Sequence, residues 1–116
     1  MNDPISKLPE HYQTPEEYFL WLMVEENSEV NQLIGKAGRF GMDTPGVKDV
    51  LTGDIDMTKT PRDMLHKEIG DVFAAARYAH ARNILDMEII EEFALRKLTK
   101  LLDPESKDNL GRRLAP

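Results

Sequence analysis

Residues 60–79 combine an amphipathic helical pattern with acidic residues inside its apolar stripe. At about 100° per residue, one face of this helix is apolar at all but two positions. Its apolar residues are Met64, Leu65, Val72, Ala75, Ala76 and Ala79. Glu68 and Asp71 continue the same face, and their i, i+3 spacing makes them neighbours on the helix. A carboxylate in a core-facing stripe is costly unless it is paired or bound to a cation. The rest of the chain must therefore supply a compensating charge.

The first helix repeats this arrangement. Thr14 and Glu17 have capping-box spacing and Pro15 suits the first helical position, so we expect a helix from Pro15 to about Arg39 that stops at Gly41. Its apolar stripe is Phe19, Leu22, Met23, Val30, Leu33 and Ala37. Glu26 and Glu29 lie on that stripe, with Glu25 beside them. Like charges this close repel each other, so this helix also favours a cation.

The remaining pattern predicts an all-α chain in a single domain, 1–116, with three main helices. Residues 1–13 form an extended lead-in, 42–59 a loop with one helical turn at 47–51, and 103–116 a polar tail. The second helix should start at Pro61 and end near Asn83, and a third should run from Met87, capped by Asp86, to about Leu102. Broad apolar faces on three helices predict a helical bundle completed by oligomerisation, in a homodimer or homotetramer.

Composition excludes several classes of function. A formal net charge of −6 argues against nucleic-acid binding, which needs a basic surface. The absence of cysteine excludes a disulfide framework, a thiolate nucleophile and a cysteine zinc site. We find no signal-peptide pattern and no apolar run of membrane-spanning length. We therefore expect a cytoplasmic protein that binds neither nucleic acid nor membrane.

Antiparallel packing of the first two helices through their stripes would bring four carboxylates together: Glu26, Glu29, Glu68 and Asp71. Without compensation such a cluster would be strongly destabilising. Mg²⁺ and Mn²⁺ prefer oxygen ligands, and the lack of an imidazole in the motif favours Mg²⁺ over zinc or a redox iron. Bound Mg²⁺ commonly bridges to substrate phosphates, so the cluster suggests a phosphorylated substrate.

Three segments in order resemble the MazG-like nucleoside triphosphate pyrophosphohydrolases, in their small single-domain phage and bacterial form. They are Glu25-Glu26-x-x-Glu29-Val30, Lys36-Ala37-x-Arg39-Phe40-Gly41 and Glu68-Ile69-Gly70-Asp71. The resemblance covers roughly residues 14–102. It implies an all-α, oligomeric enzyme that uses Mg²⁺ to cleave a nucleoside triphosphate between its α and β phosphates, releasing the monophosphate and pyrophosphate.

Carried over by position, the resemblance assigns metal binding to Glu26, Glu29, Glu68 and Asp71. Glu29 would also orient or deprotonate the attacking water, and Lys97 in the last helix would face the triphosphate. Lys36 and Arg39 are candidates for substrate binding, although cations late in a helix are equally explained by its dipole. Two departures stand out. Leu95 replaces a frequent asparagine, and the interval from Glu29 to Glu68 is longer, which leaves loop 42–59 open as a lid or a specificity element.

Other readings of the same residues stay open. The four acids could be solvated or paired with basic residues on neighbouring helices. A di-iron carboxylate bundle typically carries Glu-x-x-His pairs. Residue 71, which would be the histidine, is aspartate, and this argues against such a bundle. Tyr18, Trp21 and Phe40 could stack a base, but aromatic residues at helical spacing more often belong to a core. The main alternative to an enzyme is a non-catalytic helical module that binds a nucleotide or a cation.

Overall fold

A computed structural model of the chain describes residues 11–49 and 51–105. In chain order its elements are helix α1 (Pro15–Phe40), strand β1 (Val47–Lys48), strand β2 (Ile55–Asp56), helix α2 (Pro61–Ala81) and helix α3 (Met87–Leu102). Helix accounts for 67% of the described residues, which confirms a mainly α-helical chain. The chain divides into two compact units, with the boundary between Ile84 and Leu85.

The ends of the first two helices follow the capping signals in the sequence. Thr14 Oγ1 accepts a hydrogen bond from Glu17 N at the start of α1 (3.1 Å), and Gly41, at φ +91°, ends it. Thr60 and Asp63 form a reciprocal capping box at the start of α2. Both helices place a proline in the first turn, where no backbone N–H is needed.

Helices α1 and α2 pack against each other through the predicted stripes. Phe19 and Leu33 are buried on α1, and Ala75 and Ala79 are buried on α2. The packing is antiparallel. Near the start of α1 the ring of Tyr18 makes an edge-to-face contact with Tyr78 late in α2, at 5.3 Å between centroids. Further along, Leu33 of α1 shares a cavity wall with Met64, early in α2.

The predicted helical turn at 47–51 is wrong: this segment enters a β-hairpin. β1 and β2 are antiparallel, with Val47 opposite Asp56 and Lys48 opposite Ile55. The side chain of Asp49 accepts hydrogen bonds from Leu51 N (2.8 Å) and Thr52 N (3.3 Å), which stabilises a turn in place of a helix. Gly53, at φ +78°, closes the turn, and β-branched residues favour the two short strands.

Polar contacts hold the base of the hairpin to the helices. The guanidinium of Arg62 at the start of α2 makes a bidentate ion pair with Asp43, at 2.7 and 3.0 Å. The backbone N–H of Arg62 also donates to the carbonyl of Met42 at 2.9 Å. Within the loop, Gly46 N donates to the carbonyl of Lys59 at 2.9 Å. The described part of the predicted loop 42–59 is therefore tied to the start of α2.

Helix α3 belongs to the second unit, and its bounds match the prediction. The side chain of Asp86 caps it by accepting from Glu88 N at 2.9 Å. Several of its apolar side chains are exposed, among them Ile89, Phe93 and Leu98. No helix in the described ranges is both long and apolar enough to cross a bilayer. Most of the predicted lead-in and tail, residues 1–10 and 106–116, lies outside the described residues.

Candidate metal centre

Four carboxylates from α1 and α2 converge at the middle of the helix pair. Each of Glu26, Glu29, Glu68 and Asp71 offers one oxygen, and these four oxygens lie within 4.8 Å of one another. The convergence follows from the antiparallel packing, because the i, i+3 pair on each helix occupies the face turned toward its neighbour. The structure thus brings together all four residues that the sequence predicted as metal ligands.

Two of these carboxylates are not satisfied by the protein. Glu68 is only 8% exposed, and its Oε2 is buried without a hydrogen-bond partner among the described residues. Glu26 Oε2 is likewise buried and has no hydrogen-bond partner among these residues. A buried acceptor without a donor is destabilising by about 1–3 kcal/mol, and more when it is charged. A cation bound to both oxygens would remove that penalty, so the donor set fits a hard divalent ion.

The clustering and burial of the acids raise the pKa of two of them. A hydrogen bond shared with Glu68, followed by desolvation and by the charges of Glu68, Glu26 and Glu25, raises the pKa of Glu29 to about 7. Burial, and then the negative charges of Asp71 and Glu68, raise the pKa of Glu26 above its ordinary value. Glu29 and Glu26 therefore hold a proton more readily than isolated glutamates do.

Lys67 forms ion pairs with two acids of the cluster. Its Nζ lies 3.1 Å from Asp71 Oδ2 and 3.5 Å from Glu68 Oε1, and the side chain is 60% exposed. The hydrogen bond to Asp71 and the charge of Glu68 raise the pKa of Lys67. We did not predict this contact, although the i, i+4 spacing from Lys67 to Asp71 favours an ion pair on a helix.

A cavity of about 260 Å³ opens directly beside the acids. Glu29 and Glu68 line it, together with Lys36 of α1 and Lys48 of β1. The predicted substrate residue Lys36 therefore shares a cavity with the carboxylates. Arg39 lines a neighbouring cavity of about 540 Å³ and lies over the ring of Phe40, 5.7 Å from its centroid. Lys48 was missed, because its segment was predicted as a loop with a helical turn.

Two other residues complete the account of the predicted site. Glu25 is exposed and is not one of the four clustered acids. Lys97 lies on α3 in the second unit, so its role toward a triphosphate stays a prediction. Comparison of the chain with family models, with curated proteins and with solved structures finds no match.

Proposed function

We propose that this protein is a Mg²⁺-dependent nucleoside triphosphate pyrophosphohydrolase. The observation that carries the proposal is the set of four converging carboxylates, two of which have a buried oxygen with no donor in the described part of the chain. The resemblance of the motifs around these acids to MazG-like enzymes supports the same reaction class. Two lysines on the wall of the adjoining cavity provide charges of the sign that a triphosphate requires.

Glu26, Glu29, Glu68 and Asp71 would hold Mg²⁺, or Mn²⁺ in its place, through their carboxylate oxygens. When bound, such an ion neutralises phosphate charge and activates a water molecule. The phosphoanhydride between the α and β phosphorus atoms then breaks with addition of one water, giving the nucleoside monophosphate and pyrophosphate.

Glu29 is the best candidate for the proton acceptor in this reaction. The resemblance to MazG-like enzymes assigns this role to it. Its carboxyl lines the cavity and is exposed, so a water molecule can reach it. Glu68, which is buried and shares a hydrogen bond with it, would hold it in position.

We further propose that the protein is a homodimer or homotetramer. Many large apolar side chains of the first two helices are exposed in the single chain: Leu20, Trp21, Val24, Ile34, Ile69 and Phe73. The described chain has no large side chain that is completely buried. Apolar surface of this extent is typical of an interface, and a second copy would bury it.

The test is a screen of the common ribo- and deoxyribonucleoside triphosphates with Mg²⁺, measuring pyrophosphate and identifying the monophosphate. We expect release from at least one nucleotide, and its loss in Glu68→Gln and Asp71→Asn. Glu25→Gln is the matched control, since it removes a neighbouring charge outside the cluster. Thermal stabilisation by Mg²⁺ and nucleotide without any pyrophosphate would instead support the non-catalytic binding module.

A further inference from the structure

The two cavities described above adjoin each other and share part of their lining. Leu33, Lys36, Val47 and Lys48 line both of them. The chemical character of the remaining lining differs between the two. The carboxylates of Glu29 and Glu68 line only the smaller cavity, whereas Phe40, Ile55 and Met57 line only the larger one.

The larger cavity is mainly apolar and lies between the end of α1 and the hairpin. Its apolar walls include Phe40, Ile55 and Met57, which are 64%, 61% and 65% exposed. A volume of about 540 Å³ is in the range of small-molecule sites. Gly46 permits the close packing of this wall, because a Cβ there would lie 3.3 Å from Ile55 Cγ2 and 3.4 Å from Met57 Sδ.

We propose that the base and sugar of the nucleotide occupy this cavity, which makes the hairpin the element that determines substrate specificity. The proposal rests on the proposed function. Together the two cavities offer the groups that a metal-bound nucleoside triphosphate requires: carboxylates for the cation, two lysines for the phosphates, and an apolar chamber for the base and sugar. Phe40 offers a ring on which a base can stack, and Met57 offers an adaptable apolar contact.

The position of the hairpin supports this role. The ion pair between Asp43 and Arg62 and the backbone hydrogen bond from Gly46 to Lys59 fix its base against α2. The wall that carries Ile55 and Met57 is therefore held in place beside α1. Lys48, Ile55 and Met57 of this segment line the two cavities, so a nucleotide bound there would contact the hairpin directly.

The experiment compares Phe40→Ala and Met57→Ala with Leu51→Ala. Leu51 lies in the same hairpin, is 95% exposed and does not line the cavity. For each protein we would measure the KM for the preferred nucleoside triphosphate and the Ki of inorganic tripolyphosphate, which has no base or sugar. We expect the cavity variants to raise KM about tenfold or more. The Ki should change less than about twofold, and Leu51→Ala should match the wild type.

Calorimetric titration with an α,β-imido nucleoside triphosphate and with tripolyphosphate makes the test independent of hydrolysis. If no nucleotide is hydrolysed, the proposed function fails, while a selective loss of imido-nucleotide binding in the two variants still supports the cavity assignment. Equal losses for both ligands, or an unchanged affinity for both, would overturn the assignment. Dissociation of an oligomer in Phe40→Ala or Met57→Ala, with unchanged nucleotide affinity, would also overturn it and identify this face as a subunit contact.

Discussion

Replacing Glu68 by glutamine should stabilise the metal-free protein and abolish its response to Mg²⁺. Glu68 is the most buried of the four acids, and its oxygen lies within 4.8 Å of three other carboxylate oxygens. Glutamine keeps the shape, removes one negative charge and adds an N–H donor. That donor becomes available to the neighbouring carboxylate oxygens of the cluster.

The size of the stabilisation expected for Glu68→Gln follows from two quantities, the repulsion between the carboxylates and the raised pKa of Glu29. Two charges about 4.8 Å apart repel by about 3–4 kcal/mol at an effective dielectric constant of about 20, and Lys67 offsets part of this. A pKa of Glu29 near 7 corresponds to about 3 kcal/mol before screening, and solvent around this exposed side chain reduces that to about 1 kcal/mol. We therefore expect Glu68→Gln to raise the free energy of unfolding at pH 8 by about 1–2 kcal/mol.

The stability that Glu68→Gln adds to the metal-free protein should depend on pH. Because folding raises the pKa of Glu29, its favourable contribution is complete below the ordinary value of 4.5 and is lost as the pH rises through about 7. The metal-free wild type thus loses stability between pH 5 and pH 8. Glu68→Gln removes the main cause of that loss, so its advantage should be smaller at pH 5 than at pH 8.

The assay is urea denaturation with and without MgCl₂ at both pH values, at one fixed protein concentration because oligomers respond to dilution. Urea is preferred to guanidinium because it does not screen charge. Wild type should gain about 2.7 kcal/mol at a Mg²⁺ concentration of one hundred times Kd, and Glu68→Gln far less. Glu25→Gln should behave as wild type. A metal-free Glu68→Gln protein less stable than wild type at pH 8, or an equal Mg²⁺ response, would refute the reasoning.

Four further outcomes are expected. Mg²⁺ affinity should rise between pH 6 and pH 8, by up to about tenfold per pH unit below 7, because Glu29 must lose its proton; a calorimetric Kd independent of pH would contradict this. Lys67→Met should raise Mg²⁺ affinity in the same calorimetric assay, since it removes a cation that competes for the acids; a weaker affinity would argue against competition. The same substitution should lower the Tm of the metal-free protein, because it also removes the ion pairs to Asp71 and Glu68. Gly46→Ala, at φ +115°, should destabilise by about 1–3 kcal/mol in urea denaturation, whereas Gly38→Ala, in a helix with open space around it, should stabilise by about 0.5–1 kcal/mol. Sedimentation at micromolar concentration should show a multimer, and a monomer would count against the proposed bundle.

The helices were predictable because their signals are local. Thr14, Thr60 and Asp86 are caps whose side chains bond to the backbone within three residues, so sequence neighbours suffice to place the helix starts. The acid pairs were predictable for a similar reason, since an i, i+3 spacing fixes their common face on any helix. The step from two pairs to one cluster needed only the assumption that the apolar stripes pack together.

The hairpin was not predictable in the same way. Its strands are two residues long, which is too short for an alternation of apolar and polar residues to be recognised. It is held by contacts between residues far apart in the chain, such as Asp43 with Arg62. Lys48 therefore joined the candidate site only through the structure.

By itself, the sequence determined that this chain is mainly helical and that four acids would lie on helix faces turned inward, because capping and periodicity act over a few residues. Only the tertiary structure decided that those acids meet within 4.8 Å. It also decided that the pKa of Glu29 is raised to about 7 and that two lysines and an apolar cavity adjoin the cluster. These properties depend on distances between segments that are far apart in the sequence. The packing of the helices and the contacts at the base of the hairpin determine those distances.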